Sequence, residues 1–240
     1  MTILNVLTFA AIPAVAVVAG GVLASLRTPG PTMRSAVQHF AAGVVFAALA
    51  TELLPEVMHR RLPLQTIGGF ALGVLVMLLL KTFTEKKSED ADTAITGLPT
   101  TLLVALGVDI ALDGLLIGVG FAAGEKQGLL LTIAMTLEVL FLGVSASAAL
   151  SGGGASRSMI ALITAGLGGL LLMGAGLGAA VLSGASSSTI DVVLSFGIAA
   201  LLYLVVEELM VEAHEGPESP RLCATFFVGF LVLLIIEMNL

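Results

Sequence analysis

The chain alternates between long apolar runs and short polar breaks. Apolar windows of about twenty residues, the length that crosses a hydrocarbon layer of about 30 Å as a helix, recur eight times and are separated by Gly, Pro, Ser or charged residues. We number the predicted spans in chain order: 4–26, 33–54, 65–82, 98–123, 128–151, 159–182, 190–213 and 221–238. The pattern therefore predicts an all-α fold, a polytopic membrane bundle of eight transmembrane helices that forms a single domain over residues 1–240.

Composition agrees with this assignment. Hydrophobic residues make up 58% of the 240 positions and charged residues 11%, and the mean hydropathy is +1.10, which is typical of polytopic membrane proteins. Cys223 is the sole cysteine, so a disulfide framework or a cysteine zinc cluster within one chain is excluded. The first span lacks a basic flank and is longer than a signal-peptide core, so we interpret it as a retained helix. We expect the lipid bilayer as its environment and no nucleic-acid partner.

The connections predict an orientation. Loops are short except 83–97, which carries Glu85-Lys-Lys-Ser-Glu-Asp-Ala-Asp92 and is predicted to be a solvated, mobile linker. An even number of spans places both termini on one side. With the termini outside, seven basic residues lie in inner loops and three in outer loops, the inner set being Arg27, Arg34, Lys81, Lys86, Lys87, Arg157 and Arg221. Positive charge favours the cytoplasmic side, so we predict a cell (inner) membrane protein with both termini outside and a cytoplasmic loop 83–97.

Two pairs of motifs predict an inverted repeat. Span 2 ends in Glu52-Leu-Leu-Pro-Glu56 and span 7 ends in Glu208-Leu-Met-Val-Glu212, although the two spans run in opposite directions. Asp109-x-x-x-Asp113-Gly114 in span 4 is matched by Glu138-x-x-x-Leu142-Gly143 in span 5. Such matching segments of opposite direction are typical of transporters built from inverted repeats. We predict that spans 1–3 and 6–8 are the repeats and that they surround spans 4–5.

Acidic residues lie deep inside two of the spans. Asp109 is about 16 Å into its apolar run at a rise of about 1.5 Å per residue, and Asp113 follows one helical turn later on the same face. An acidic side chain at that depth costs roughly 2.5–3.5 kcal/mol, and all ten Lys and Arg residues lie at span ends or in loops. Together with Glu138 in span 5, these carboxylates predict a site that binds a divalent cation or protons; protonated acids that hydrogen-bond between helices are the structural alternative.

Further acids and histidines lie near the span ends. Glu52 and Glu56 precede His59, and Glu207, Glu208 and Glu212 precede His214. Carboxylate and imidazole are good ligands for transition metals, so the two clusters are interpreted as ion-attracting vestibules, with hydrated interfacial anchors as the alternative. His39, inside span 2, is either a ligand or a hydrogen-bonded core residue.

These residues resemble the ZIP (Zrt/Irt-like) family of divalent metal transporters, in particular its short prokaryotic branch. The resemblance covers nearly the whole chain: eight spans, the longest loop after span 3, Leu53-Leu-Pro-Glu56 at the end of span 2, Asp113-Gly-x-x-x-Gly118 in span 4, and Glu207-Glu-Leu-x-x-Glu-Ala-His214 at the end of span 7. It implies a mid-membrane metal site between spans 4 and 5 and a homodimer.

The chain departs from the family pattern at the implied ligands. Span 4 of the family carries His-Asn-x-x-Asp/Glu-Gly, whereas Asp109 and Ile110 stand at the first two positions here. In span 5, Glu138 takes the first ligand position and Leu142 replaces the last acid. The resemblance therefore implies a smaller site of Asp109, Asp113 and Glu138, with Gln38 or His39 as further candidate ligands. Carboxylates without imidazole make Mn²⁺, Fe²⁺ or Mg²⁺ plausible besides Zn²⁺.

The sequence thus predicts a transporter of divalent metal cations that carries out uptake. Ions pass from the Glu52 and Glu56 mouth to the carboxylate site and leave near Glu207, Glu208, Glu212 and His214. The metal is the transported substrate, and no prosthetic group is expected. The alternative is a metal-binding membrane sensor without transport. An enzyme is not expected, because an intramembrane aspartyl protease needs aspartates on different helices in a Gly-x-Gly-Asp context, which this chain lacks.

Overall fold

The computed structural model describes residues 2–26, 30–91, 100–182, 184–214 and 219–239. Within this part of the chain, eight helices are long and apolar enough to cross a membrane. They are α1 Ile3–Leu26, α2 Pro31–Arg60, α3 Pro63–Ala91, α4 Thr100–Ala123, α5 Glu125–Gly152, α6 Arg157–Leu182, α7 from Ser187 to His214, and α8 Pro220–Met238. Each helix corresponds to one predicted span, which confirms the all-α polytopic bundle.

The predicted linker 83–97 is partly helical. Helix α3 continues past the predicted end of its span at residue 82 and ends at Ala91. Residues 92–97 lie outside the described residues, so for them the mobile linker stays a prediction. The side chain of Glu212 is likewise outside the described set, although its backbone belongs to the last turn of α7.

Local sequence explains where several helices begin. Pro31, Pro63 and Pro220 are the first residues of their helices, a position where the missing N–H is not needed for the helical ladder. The hydroxyl of Ser186 accepts a hydrogen bond from the Thr189 amide at 3.2 Å, and Ser219 caps α8 in the same way. These caps satisfy amide groups that a helix start would otherwise leave without acceptors.

Helices α2 and α7 are each interrupted by a π-helical turn, which in both cases overlaps the start of the Glu-Leu-x-x-Glu motif. The turns are Leu49–Leu53 in α2 and Leu204–Leu209 in α7, and in each the N–H that follows bonds to the carbonyl five residues earlier. Pro55 follows the first turn, but Val211 stands at the matching position after the second, so a proline is not required for the distortion. Because π turns often occur at functional sites, their coincidence with the two Glu-Leu-x-x-Glu motifs draws attention to these acids.

The helices form an inner and an outer layer. In their most apolar stretches, α2, α4, α5 and α7 have 56–61% of their residues buried, whereas α3 and α8 have only 17%. Helices α1 and α6 are intermediate, with 44% and 39%. The outer helices therefore present most of their surface to lipid, and the inner four carry most of the buried polar residues that the structure describes.

Packing follows the predicted inverted repeat. Helix α4 packs against α6 as α5 packs against α1, and α2 packs against α8 as α3 packs against α7. Gly174 of α6 lies against the Ala111 carbonyl of α4, and Gly20 of α1 lies against the Leu140 carbonyl of α5. The same correspondence pairs Gly114 and Leu171 with Gly143 and Val17. Close backbone approach at small residues is how helices pack tightly in lipid, and the corresponding contacts in the two halves agree with the two-fold relation of the predicted repeat.

Candidate metal centre

Three carboxylates from two inner helices meet near the middle of the bundle. Asp109 and Asp113 lie one turn apart on α4, and Glu138 reaches them from α5. One ligand oxygen of each residue lies within 4.8 Å of the other two. A divalent cation bonded to oxygen at about 2.0–2.6 Å brings its ligand atoms to within about 5 Å of one another. The cluster, which we call the carboxylate centre, therefore has the dimensions of a single cation site.

The carboxylate centre is shielded from solvent and short of hydrogen-bond donors. Asp113 is 2% exposed and Glu138 is fully buried, while Asp109 is half-buried. Among the described residues, no donor reaches Oδ2 of Asp113 or either carboxylate oxygen of Glu138. Buried carboxylates normally have partners because desolvation is costly, and a cation or protons are the partners that such oxygens can accept.

The inverted repeat explains why the carboxylate centre is asymmetric. Under the two-fold relation Glu138 corresponds to Asp109, and Leu142 corresponds to Asp113. Leu142 is buried at 7% exposure and belongs to the apolar core. One half of the site therefore supplies two carboxylates and the other half supplies one. Three acids remain where a symmetric repeat would carry four.

Glu208 connects the carboxylate centre with one end of the bundle. It is an exposed residue in the π turn of α7, yet it lies within electrostatic range of both Asp113 and Glu138. Its neighbour Glu207 forms a salt bridge with Lys81 of α3, with 2.9 Å between Nζ and Oε2. The predicted group Glu207, Glu208 and His214 thus lies towards the C-terminal end of α7. We call this end of the bundle the His214 face.

The other predicted vestibule lies at the opposite end of the bundle. Glu52 is buried at 5% exposure in the π turn of α2, and the Glu237 carboxyl group lies within hydrogen-bonding reach of it. Lys126 contributes a positive charge near both, and Glu56 is held in a salt bridge of 2.7 Å with Arg60. We call this end the Glu52 face. Because Arg60 pairs with Glu56, Glu56 is less able to attract a cation than Glu52 and Glu237.

The structure groups His39 with His214 rather than with the three carboxylates. Its ring lies against that of His214, with 5.2 Å between the ring centroids. Gln38 is buried at 4% exposure beside it on α2. The two groups of candidate ligand residues that the described residues form, one around Glu138 and one around His39, have no member in common.

Sequence reasoning missed the contacts of two residues, Asp191 and Cys223. Asp191 near the start of α7 is fully buried and accepts a hydrogen bond from the Thr66 hydroxyl of α3 at 3.0 Å. Cys223 in the first turn of α8 lies close to His39 and His214. Asp191 stands within two residues of a predicted span boundary, where an acid is ordinarily hydrated, and a lone cysteine carries no spacing signal. Only the packing of helices that are distant in the sequence reveals these two contacts.

Comparison with known proteins gives no assignment: neither the models of known families nor the curated proteins contain a match to this chain. The fold itself defines a class. Eight apolar helices with a buried polar interior are those of a multi-pass α-helical membrane protein.

Proposed function

We propose that this protein transports divalent metal cations across the membrane, as the ZIP family that it resembles does, and that the carboxylate centre is its transport site. The observation that supports the proposal is the convergence of Asp109, Asp113 and Glu138, whose ligand oxygens lie within 4.8 Å of one another. An intramembrane cluster of ionisable residues ordinarily marks an ion pathway. The transported cation is the substrate, and the chain needs no prosthetic group for this activity.

Electrostatics favours a cation over an empty cluster. Two ionised carboxylates whose ligand oxygens lie within 4.8 Å of each other repel by about 3 kcal/mol or more at an effective dielectric constant of about 20. All ten basic residues of the sequence lie at the ends of the membrane-spanning stretches or outside them, so none is placed at this depth to neutralise three acids. A divalent cation removes the repulsion and gives the buried oxygens a partner. Protons do the same when the cation leaves, which provides a basis for coupling because such carboxylates titrate together.

The two faces supply the ends of the pathway. Cations collect at Glu52 and Glu237 on the Glu52 face, bind at the carboxylate centre, and leave past Glu208 on the His214 face. The inverted repeat supports alternating access, since the two halves can rock against each other around a site at their interface. With the termini outside, this route is uptake. The homodimer implied by the family resemblance remains a prediction.

Oxygen ligands determine the expected ion preference. Three carboxylates form a hard site, so we expect Mn²⁺, Fe²⁺ or Mg²⁺ to be accepted at least as well as Zn²⁺. In detergent, the preferred ion should raise the melting temperature in a concentration-dependent way, by an amount equivalent to about 2.7 kcal/mol at 100 times its dissociation constant. A thermal-shift screen across these ions and Cd²⁺ measures this preference.

Flux separates a transporter from a sensor. Purified protein in proteoliposomes that contain a metal-sensitive dye should admit the ion that stabilises it best, and protein-free liposomes provide the background. Saturable flux supports transport. Tight binding without flux would instead favour the metal-binding sensor, and the absence of both would contradict any role of the carboxylate centre in cation binding.

The orientation has a separate test. Cys223 is the only cysteine and is exposed near the His214 face, which the charge distribution places in the cytoplasm. We expect a membrane-impermeant maleimide to leave Cys223 unlabelled in intact cells and to label it after permeabilisation. A Glu125→Cys, Cys223→Ser variant places the thiol at an exposed position on the Glu52 face and should be labelled in intact cells. The reverse pattern would contradict the predicted orientation.

A further inference from the structure

A second group of potential ligands lies at the His214 face. His39 of α2, His214 at the end of α7 and Cys223 in the first turn of α8 each offer one ligand atom, and these atoms lie within 4.8 Å of one another. They come from three different helices whose sequence positions gave no reason to group them. The group shares no residue with the carboxylate centre.

Hydrogen bonds leave both imidazoles in the form that binds metal. Nδ1–H of His39 donates to the Ser35 carbonyl oxygen at 2.8 Å, and Nδ1–H of His214 donates to the Met210 carbonyl oxygen at 2.6 Å. Because a carbonyl oxygen can only accept, the proton of each neutral ring resides on Nδ1, and Nε2 presents its lone pair. Metal-bound histidines are commonly held by such a backbone acceptor on the other nitrogen.

His39 has a buried ligand atom without a partner. The residue is 2% exposed, and no described group hydrogen-bonds to its Nε2. A histidine that served only to pack the core would be expected to use both nitrogens, because an unsatisfied buried polar atom is costly. Here the free nitrogen belongs to the ring that lies tilted against that of His214, with 5.2 Å between the ring centroids.

The helices at this face are held in register. Ser35 donates its hydroxyl proton to the Ala213 carbonyl oxygen at 2.7 Å, which joins α2 to the residue before His214. Thr225 of α8 donates to the Ala36 carbonyl oxygen of α2 at 2.9 Å, two residues after Cys223. These contacts, which involve none of the three ligand atoms, bring the two rings and the thiol to one place before any ion binds.

We infer that His39, His214 and Cys223 form a second metal-binding site, for a borderline-soft divalent cation such as Zn²⁺ or Cd²⁺. Two imidazole nitrogens and a thiolate are a ligand set that Zn²⁺ accepts in tetrahedral geometry, with a fourth position left for water or another ligand. Binding releases the thiol proton. A thiolate ligand selects ions that the carboxylate centre does not favour, so the chain carries one hard and one softer site, the softer one at the end of the bundle.

The single cysteine makes the site directly observable. Titration of the full-length protein in detergent with Cd²⁺ should produce the ultraviolet charge-transfer band of a cadmium–thiolate bond, which saturates at one ion per chain and is lost in Cys223→Ser. We expect His39→Gln and His214→Gln each to weaken the binding that this band reports by at least about tenfold, the lower end of what the loss of an outer-shell partner costs. Because His214 is exposed and, among the described residues, its ring hydrogen-bonds only within its own helix, its variant should fold even if that of His39 does not.

Two matched controls distinguish this site from other binding. His59 also donates Nδ1–H to a carbonyl of its own helix, that of Pro55 at 2.7 Å, but lies on the Glu52 face, so His59→Gln should leave the band unchanged. The double variant Asp113→Asn, Glu138→Gln should also retain it, whether or not the protein transports metal. Equal Cd²⁺ affinity in the wild type and His214→Gln would show an isolated thiol and overturn the inference, as would the absence of a band in the wild type.

Discussion

Replacement of Asp113 by Asn, or of Glu138 by Gln, should abolish most of the cation flux in proteoliposomes. Each amide keeps the shape of the side chain and removes one of three charges that converge within 4.8 Å. We expect a loss of about 10- to 100-fold or more at sub-saturating cation, since changes to a mere outer-shell partner of a metal ligand already cost that much. Initial rates of dye quenching over a range of metal concentrations measure the effect.

Although the same variants should lose flux, we expect them to be more stable than the wild type when no metal is present. Neutralising one buried acid removes its repulsion with the other two carboxylates without the proton uptake that the wild type needs, so the metal-free variants should melt higher than the metal-free wild type by a margin that grows as the pH rises. They should also lose the increase in melting temperature that the preferred ion gives the wild type. A merely unfolded or distorted variant would show a lower melting temperature instead, which separates loss of the ligand from loss of the fold.

Asp191 provides the matched control. It is as buried as Glu138 and lies in an inner helix, but its carboxylate accepts a hydrogen bond from Thr66 and is not part of the carboxylate centre. Since the amide oxygen of Asn can accept the same hydrogen bond, Asp191→Asn should retain flux and metal-dependent stabilisation. If Asp113→Asn and Glu138→Gln transported as well as Asp191→Asn, the carboxylate centre would have no role in transport.

Substitution of Gly174 by Ala should destabilise the protein and impair the carboxylate centre. A Cβ atom at Gly174 would collide with the Ala111 carbonyl oxygen and the Leu115 amide of α4, and backbone atoms have little freedom to move aside. We expect a loss of about 1–3 kcal/mol in the free energy of unfolding, which is typical of overpacking. Because Ala111 lies between Asp109 and Asp113, displacement of α4 should also weaken the metal-dependent increase in melting temperature.

The same helix offers the control for this prediction. Gly169 of α6 is exposed, and a Cβ atom there would have open space around it. Gly169→Ala should be neutral or stabilising by up to about 1 kcal/mol through helix propensity. Gly20→Ala, which meets the Leu140 carbonyl in the other repeat, should behave like Gly174→Ala. Equal melting temperatures for Gly174→Ala and Gly169→Ala would show that the close approach of α4 and α6 has no energetic importance.

The eight helices could be predicted because hydropathy is a local property. The run around Asp109 is apolar over the length of a membrane span, and the helix forms there whichever neighbours it acquires. The four-residue spacing of Asp109 and Asp113 likewise placed both on one face without knowledge of packing. The π turns were not predictable in this way. They occur at Glu-Leu-x-x-Glu motifs with and without proline, so proline does not mark them. Hydropathy does not mark them either, because it does not distinguish a π turn from a regular helical turn.

Contacts between helices required the structure. The family resemblance implied His39 as a further candidate ligand of the carboxylate centre, yet a helix position does not specify which neighbour its side chain faces. The ring contact of His39 with His214 depends on how α2 and the end of α7 are aligned. Ser35 and Ala213 fix that alignment through one hydrogen bond between residues distant in the sequence.

The sequence by itself determined the membrane-spanning architecture, its repeated motifs and the depth of its acids, because each follows from apolar length and helical period within a single segment. Only the tertiary structure decided that Glu138 meets Asp109 and Asp113, and that His39, His214 and Cys223 meet one another elsewhere. The physical reason is that side chains from separate helices meet according to helix rotation and distance. Helix rotation and distance are set by backbone contacts at glycines such as Gly20 and Gly174. Such contacts join helices that are far apart in the chain.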